Sequence, residues 1–160
     1  MDQTYLDTLL LYYEEEIEGA AYFAELARAF DALDRIEKLM LLAEVERHAA
    51  AGVAPLIAKY RLTARPSAAL VASGKSQAQG TPADWAALLS EMTRSYPGYL
   101  SAFEALEVMA PSEDRPRLAF LTQHEVAALE FLALEKINSA QSAAPLRDYL
   151  AIELETVLSR

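Results

Sequence analysis

The sequence predicts an all-α fold: two helical hairpins joined by one long crossover, making a four-helix bundle, with a short C-terminal helix after it. Hydrophobic residues make up 53% of the 160-residue chain, and the strong helix formers alanine and leucine dominate them. Apolar positions recur at helical spacing through four long runs. A stretch from about 62 to 81, rich in Ser, Ala, Gly and Gln and without a firm period, separates the runs into two pairs. It is long enough to travel the full height of a bundle. The length suits a single domain, residues 1–160, able to bury a substantial core.

The first helix is expected over about residues 3–30. Leu6, Leu10, Tyr13, Ile17, Ala20 and Ala24 form one apolar strip, and Leu11, Tyr22, Leu26 and Ala29 form another roughly opposite. A helix apolar on two sides is enclosed by neighbours or shared between a core and a dimer contact, so a homodimer is the expected assembly. Glu14, Glu18 and Glu25 lie between the strips on one flank. Glu15 differs, because Leu11, Gly19 and Tyr22 are its neighbours one turn or two away.

Asp31 or Asp34 can cap a second helix over about 33–60. Gly52 and Pro55 within it predict a kink, or an early stop with a short restart. Thr81 and Pro82, a capping hydroxyl followed by proline, open a third helix over about 82–110, interrupted at Pro97 and Gly98. A turn from Pro111 to Asp114 leads into a fourth helix over about 113–138, and Pro145 begins the terminal helix over about 145–158.

Composition excludes several function classes. The net charge of −10 makes nucleic acid and anionic membrane surfaces poor partners. Without cysteine there are neither disulfides nor thiolate metal sites. No apolar run approaches the roughly 20 residues that cross a bilayer, and the N-terminal residues carry no basic stretch before an apolar segment. The expectation is a cytoplasmic domain without a membrane or nucleic-acid partner.

Chemistry concentrates on two histidines, both deep inside helical runs. A glutamate precedes each at one and the same separation, from Glu15 to His48 and from Glu91 to His124. Facing helices that each offer a Glu and a His, repeated in two halves, hold paired metal ions in helical bundles. On these residues the chain resembles the ferritin-like, rubrerythrin-type di-iron superfamily over about residues 3–138. The resemblance implies a ferritin-like bundle binding iron or manganese, with oxidoreductase chemistry on oxygen or peroxide. It matches Glu15, His48 and His124 to the family's ligands, with Glu91 as a further match; the residues themselves add Glu44 to the expected ligands, and Glu18 and Glu125 as weaker candidates. It also places Tyr22 and Arg47 just behind them. Glu44 to His48 reads Glu-Val-Glu-Arg-His, close to the family's second-helix string.

The chain departs from the family where Val45 and Leu121 stand three residues before the histidines, the positions of the bridging carboxylates. Two divalent ions about 4 Å apart need such carboxylates to offset their repulsion. Their loss favours weak or single-ion binding over a paired site able to activate oxygen. Glu44 lies one turn before His48, and Glu46 and Glu125 are adjacent substitutes without the family spacing. The competing expectation is a metal-free relative acting as a structural or interaction module, in which Arg47 neutralises Glu15, Glu44 or Glu125 in place of a cation. A third is a small-molecule carrier, marked by a pocket lined by Tyr22, Tyr99 and Phe103.

Overall fold

Seven helices make up the fold in the computed structural model, which describes residues 2–158: α1 (Gln3–Ala27), α2 (Leu33–Lys59), α3 (Ser67–Gln79), α4 (Trp85–Met109), α5 (Arg115–Lys136), α6 (Ala144–Leu150) and α7 (Leu154–Leu158). No strand occurs among the described residues. None of the helices is long and apolar enough to cross a membrane. The long helices close a ring: α1 packs on α2, α2 on α5 and α5 on α4, while α4 touches α1 only sparsely. The helix α3 lies along the outer side of α1, and α6 and α7 cover α2 and α5.

The expected crossover is the first correction. Residues 67–79 are helical, with Leu70, Gly74 and Ala78 buried one turn apart. This stripe is built from small residues, so its apolar periodicity is faint in the sequence. Its smallness lets the backbones approach closely, since a Cβ on Gly74 would stand 2.2 Å from the Glu18 carbonyl oxygen. The flanking acids of α1 then serve the crossover instead of solvent. Arg65 reaches Glu14 at 2.5 Å and Glu18 at 2.8 Å, and Ser73 Oγ donates to Glu18 at 2.6 Å.

Other boundaries also shift. The helix α2 has Ala32 at its N-cap without a side-chain cap, and Asp34 sits in its first turn, paired with Lys38. It runs unbroken through Pro55, with no early stop. The Gly52 carbonyl, three residues before that proline, accepts from Arg117 Nη1 of α5 at 2.6 Å. The helix α4 begins at Trp85 because the Asp84 carboxylate accepts from the Ala87 amide; the Thr81 hydroxyl bonds the Gln77 carbonyl instead. It continues through Pro97 to Met109. The terminal helix is two short ones, α6 and α7.

The core seam of α1 runs between the two expected strips. Tyr5, Leu9, Phe23 and Leu26 are buried, whereas Leu11 is 49% exposed. At one end of the bundle, Asp114 ties three helices together. It accepts from Tyr5 Oη of α1 at 2.8 Å, from Tyr60 Oη at 2.6 Å and from Lys59 Nζ at 2.7 Å. Burial raises its pKa, but these three donors outweigh it and hold the carboxyl below its ordinary value. The contribution is therefore present above the usual aspartate range and lost as pH falls below it, through the lowered folded value. Replacing Asp114 by Ala leaves Tyr5 without its partner and costs roughly 3 kcal/mol in urea unfolding, by analogy with other broken buried pairs. Glu44→Ala breaks only the exposed Arg47 pair and changes stability by less than about 1 kcal/mol.

Candidate functional site

Three helices contribute to one buried polar cluster. On α1 the enclosed seam of Tyr5, Leu9 and Phe23 also carries Glu16, and on α2 the seam of Leu42, Ala49 and Val53 carries Glu46. The third contributor, α5, brings His124 and Glu125 among Leu121, Ala128 and Phe131. Each carboxylate thus occupies a position where helical spacing calls for an apolar side chain. Gly19 makes room for one of them, because a Cβ there would lie 3.2 Å from the Glu46 carboxyl carbon.

His124 Nε2 stands 3.0 Å from Glu16 Oε2 and 3.5 Å from both Glu46 Oε2 and Glu125 Oε2. One ligand atom from each of Glu16, Glu46 and His124 can be chosen so that all lie within 4.8 Å of one another. The other ring nitrogen, Nδ1, is bonded to the Leu121 carbonyl oxygen. A carbonyl can only accept, so Nδ1 carries a proton and Nε2 is the atom offered to the carboxylates. Phe103 packs edge-on against the ring at 5.1 Å between centroids. Glu16 is 3% and Glu125 4% exposed; Glu16 Oε2 faces His124 Nε2, whereas Glu125 Oε1 has no hydrogen-bond partner.

Three carboxylates around one imidazole leave negative charge uncompensated, and the proton affinities respond. Burial, and then Glu46, hold Glu16 well above the usual carboxylate range. Burial raises Glu125 to about 8, against the opposing pull of His124. Burial pulls His124 down, but Glu16 and Glu46 reverse this and set it well above an ordinary histidine. Glu46 is lowered despite its burial, because Glu16 and His124 hydrogen-bond its charged form. Without a cation, the cluster has to retain protons.

The residues singled out in the sequence divide among several places. His124 and Glu125 are in the cluster. Glu15 stands beside it at the mouth of a cavity, as do Glu18, Glu91 and Tyr22. Glu18 is held by Arg65 and α3, Glu91 pairs with Arg94, and Tyr22 Oη lies 3.3 Å from the Thr81 hydroxyl. Glu44 and Arg47 pair with each other at 2.5 Å on the exposed side of α2. His48 turns from the cluster, with Nε2 2.8 Å from the Ile152 carbonyl and its ring edge-on to Phe120 and Tyr149. The two imidazoles therefore do not converge. Glu16 stands in the sequence only as part of the acidic run Glu14 to Glu16. The missed signal is its spacing, seven residues from both Leu9 and Phe23 on the core seam.

The cavity, about 580 Å³, extends from the cluster toward solvent along the sparse seam between α1 and α4. Tyr22, Tyr99 and Phe103, the aromatics expected around a small-molecule pocket, all line it. Tyr96 lines it too, and burial followed by Glu46 and Glu125 keeps its phenol protonated far above the ordinary tyrosine range. Comparison with protein-family models, with curated proteins and with solved structures gave no match.

The raised values of Glu125, Glu16 and His124 share one sign. Each favours folding most below its unfolded pKa, and the advantage is lost as pH rises through the folded value. In the presence of a chelator, melting temperature should therefore fall between the ordinary carboxylate value of 4.5 and about 8. Glu125→Gln should flatten that slope, as thermal unfolding followed by circular dichroism across this pH range can check.

Proposed function

We propose that the protein is a ferritin-like bundle that binds one iron or manganese ion through Glu16, Glu46 and His124, with Glu125 beside them. The observation that carries this reading is the orientation of His124: Nδ1 is committed to the Leu121 carbonyl, Nε2 faces three carboxylates, and the buried Glu125 Oε1 beside them lacks a partner. A metal-ligating histidine is typically oriented by such a bond on its second nitrogen. Oxygen and imidazole donors without thiolate suit a divalent ion of the iron or manganese kind. Two helical hairpins around a long crossover, with α1, α2, α5 and α4 in a ring, support the ferritin-like reading. A single imidazole at the cluster supports one ion over a pair.

Such an ion supplies redox or Lewis-acid chemistry at the inner end of the cavity. The chain's own groups position and shield it. Leu121 fixes the imidazole, Gly19 admits Glu46, and Phe103 and Tyr96 limit water at the inner wall. The metal-free alternative relied on Arg47, which faces Glu44 at the surface. His124 would then be the sole cation against three carboxylates, and the unpartnered Glu125 oxygen would remain unexplained.

The test is Mn(II) titration of chelator-treated protein, with free metal followed by electron paramagnetic resonance. The expected result is one site per chain, weakened about 10-fold or more by Glu46→Gln or His124→Ala and unaffected by His48→Ala or Arg47→Ala. Saturating Mn(II) at about 100 times its dissociation constant should add roughly 2.7 kcal/mol of stability. Absence of saturable binding, or equal loss in the His48 variant, would refute the assignment.

A further inference from the structure

The outer part of the cavity has chemistry of its own. Its lining combines glutamates with aromatic rings and includes neither lysine nor arginine. Two of those glutamates, Glu18 and Glu91, already have cationic partners outside the cavity, in Arg65 and Arg94. Glu15 has neither a hydrogen bond nor an ion pair among the described residues, and it shares the lining of the cavity with Tyr12, Tyr22 and Tyr99. Farther in, Glu16 and Glu125, both more than nine-tenths buried, line the floor, Glu16 facing His124 and Glu125 with one oxygen unpartnered.

An anionic ligand at the mouth would meet Glu15, Glu18 and Glu91, while the one basic side chain of the lining, His124, lies at the floor facing Glu16, Glu46 and Glu125. A neutral ligand could use the rings but would leave Glu15 without a counter-charge. Aromatic faces attract cations through their quadrupole, and a carboxylate at the same site adds a directional partner. A volume of about 580 Å³ lies within the range that holds small organic ligands.

We propose that the mouth of the cavity binds a small organic cation, an amine or quaternary ammonium, with its charge toward Glu15 and its carbon skeleton among Tyr12, Tyr22 and Tyr99. The proposal rests on the reading of the floor as a metal centre, because a metal ion there satisfies Glu16 and Glu46 and leaves Glu15 as the acid free for the ligand. Tyr99, 53% exposed, lines the cavity with its ring against Tyr96.

The experiment is isothermal titration calorimetry of the full chain, Mn(II)-loaded and chelator-treated. The cationic probes are 2-phenylethylamine, putrescine and choline. The neutral and anionic counterparts of the first are 2-phenylethanol and phenylacetate. At least one cation should bind about tenfold or more tightly than the alcohol, with the acid weakest of all. Glu15→Gln should remove about tenfold of the cation affinity and leave the alcohol unchanged, and Tyr99→Ala should weaken both. Glu15 and Tyr99 are both at the surface, so these variants should retain the parent melting temperature. Equal or better binding of the alcohol or acid, no binding of any cation, or an unchanged cation affinity in Glu15→Gln would overturn the proposal. Failure here with intact Mn(II) uptake refutes the amine site alone. Cation selectivity in protein that takes up no Mn(II) refutes the metal centre alone.

Discussion

The site depends on one hydrogen bond, from His124 Nδ1 to the Leu121 carbonyl within the same turn of α5. It selects the nitrogen presented to Glu16, Glu46 and Glu125, and it stops the ring from flipping to satisfy a carboxylate with the other edge. The neighbouring helices then decide what Nε2 meets. The α1 and α2 seams bring their carboxylates to the level of His124, and Gly19 leaves the space that Glu46 fills. None of these groups is stable there alone, since each buried charge loses its hydration without a full replacement.

The chain treats its two buried acidic sites in opposite ways. Asp114 receives three donors from two helices and is lowered in proton affinity, so it acts as a fastener that stays charged. The inner carboxylates receive fewer donors than they have oxygens to satisfy, and two of them rise in proton affinity. A fold that spends three donors on one aspartate has the means to saturate a carboxylate. Leaving Glu16 and Glu125 short is a local conflict of the kind found at functional sites.

Much of the fold was legible in the residues. Long alanine- and leucine-rich runs, the break near Pro111 and the two-hairpin arrangement all correspond to helices in the structure. The crossover helix was not legible, because Leu70, Gly74 and Ala78 are mostly too small to stand out as an apolar stripe. At the site, His124 was legible from its apolar flanks, and Glu125 and Glu46 were in view as neighbours of the histidines. Glu16 was obscured by its place in a run of three consecutive glutamates. The family spacing pointed to Glu15, whereas the seam through Leu9 and Phe23 points to Glu16. His48 matched a motif, but its orientation is set by residues a hundred positions later: the Ile152 carbonyl and the Tyr149 ring. Local sequence could not convey a partner so distant.

Unequal support around the ring shapes how the molecule fluctuates. The helix α1 is gripped on one side by α2 and on the other by α3, whereas α4 leans mainly on α5 and carries a proline that deletes one of its own backbone bonds. Breathing of the bundle is therefore expected first in α4. Its amides should exchange with deuterated solvent ahead of those in α1, and the inner chamber opens by the yielding of that single wall while the three helices bearing Glu16, Glu46 and His124 keep their spacing.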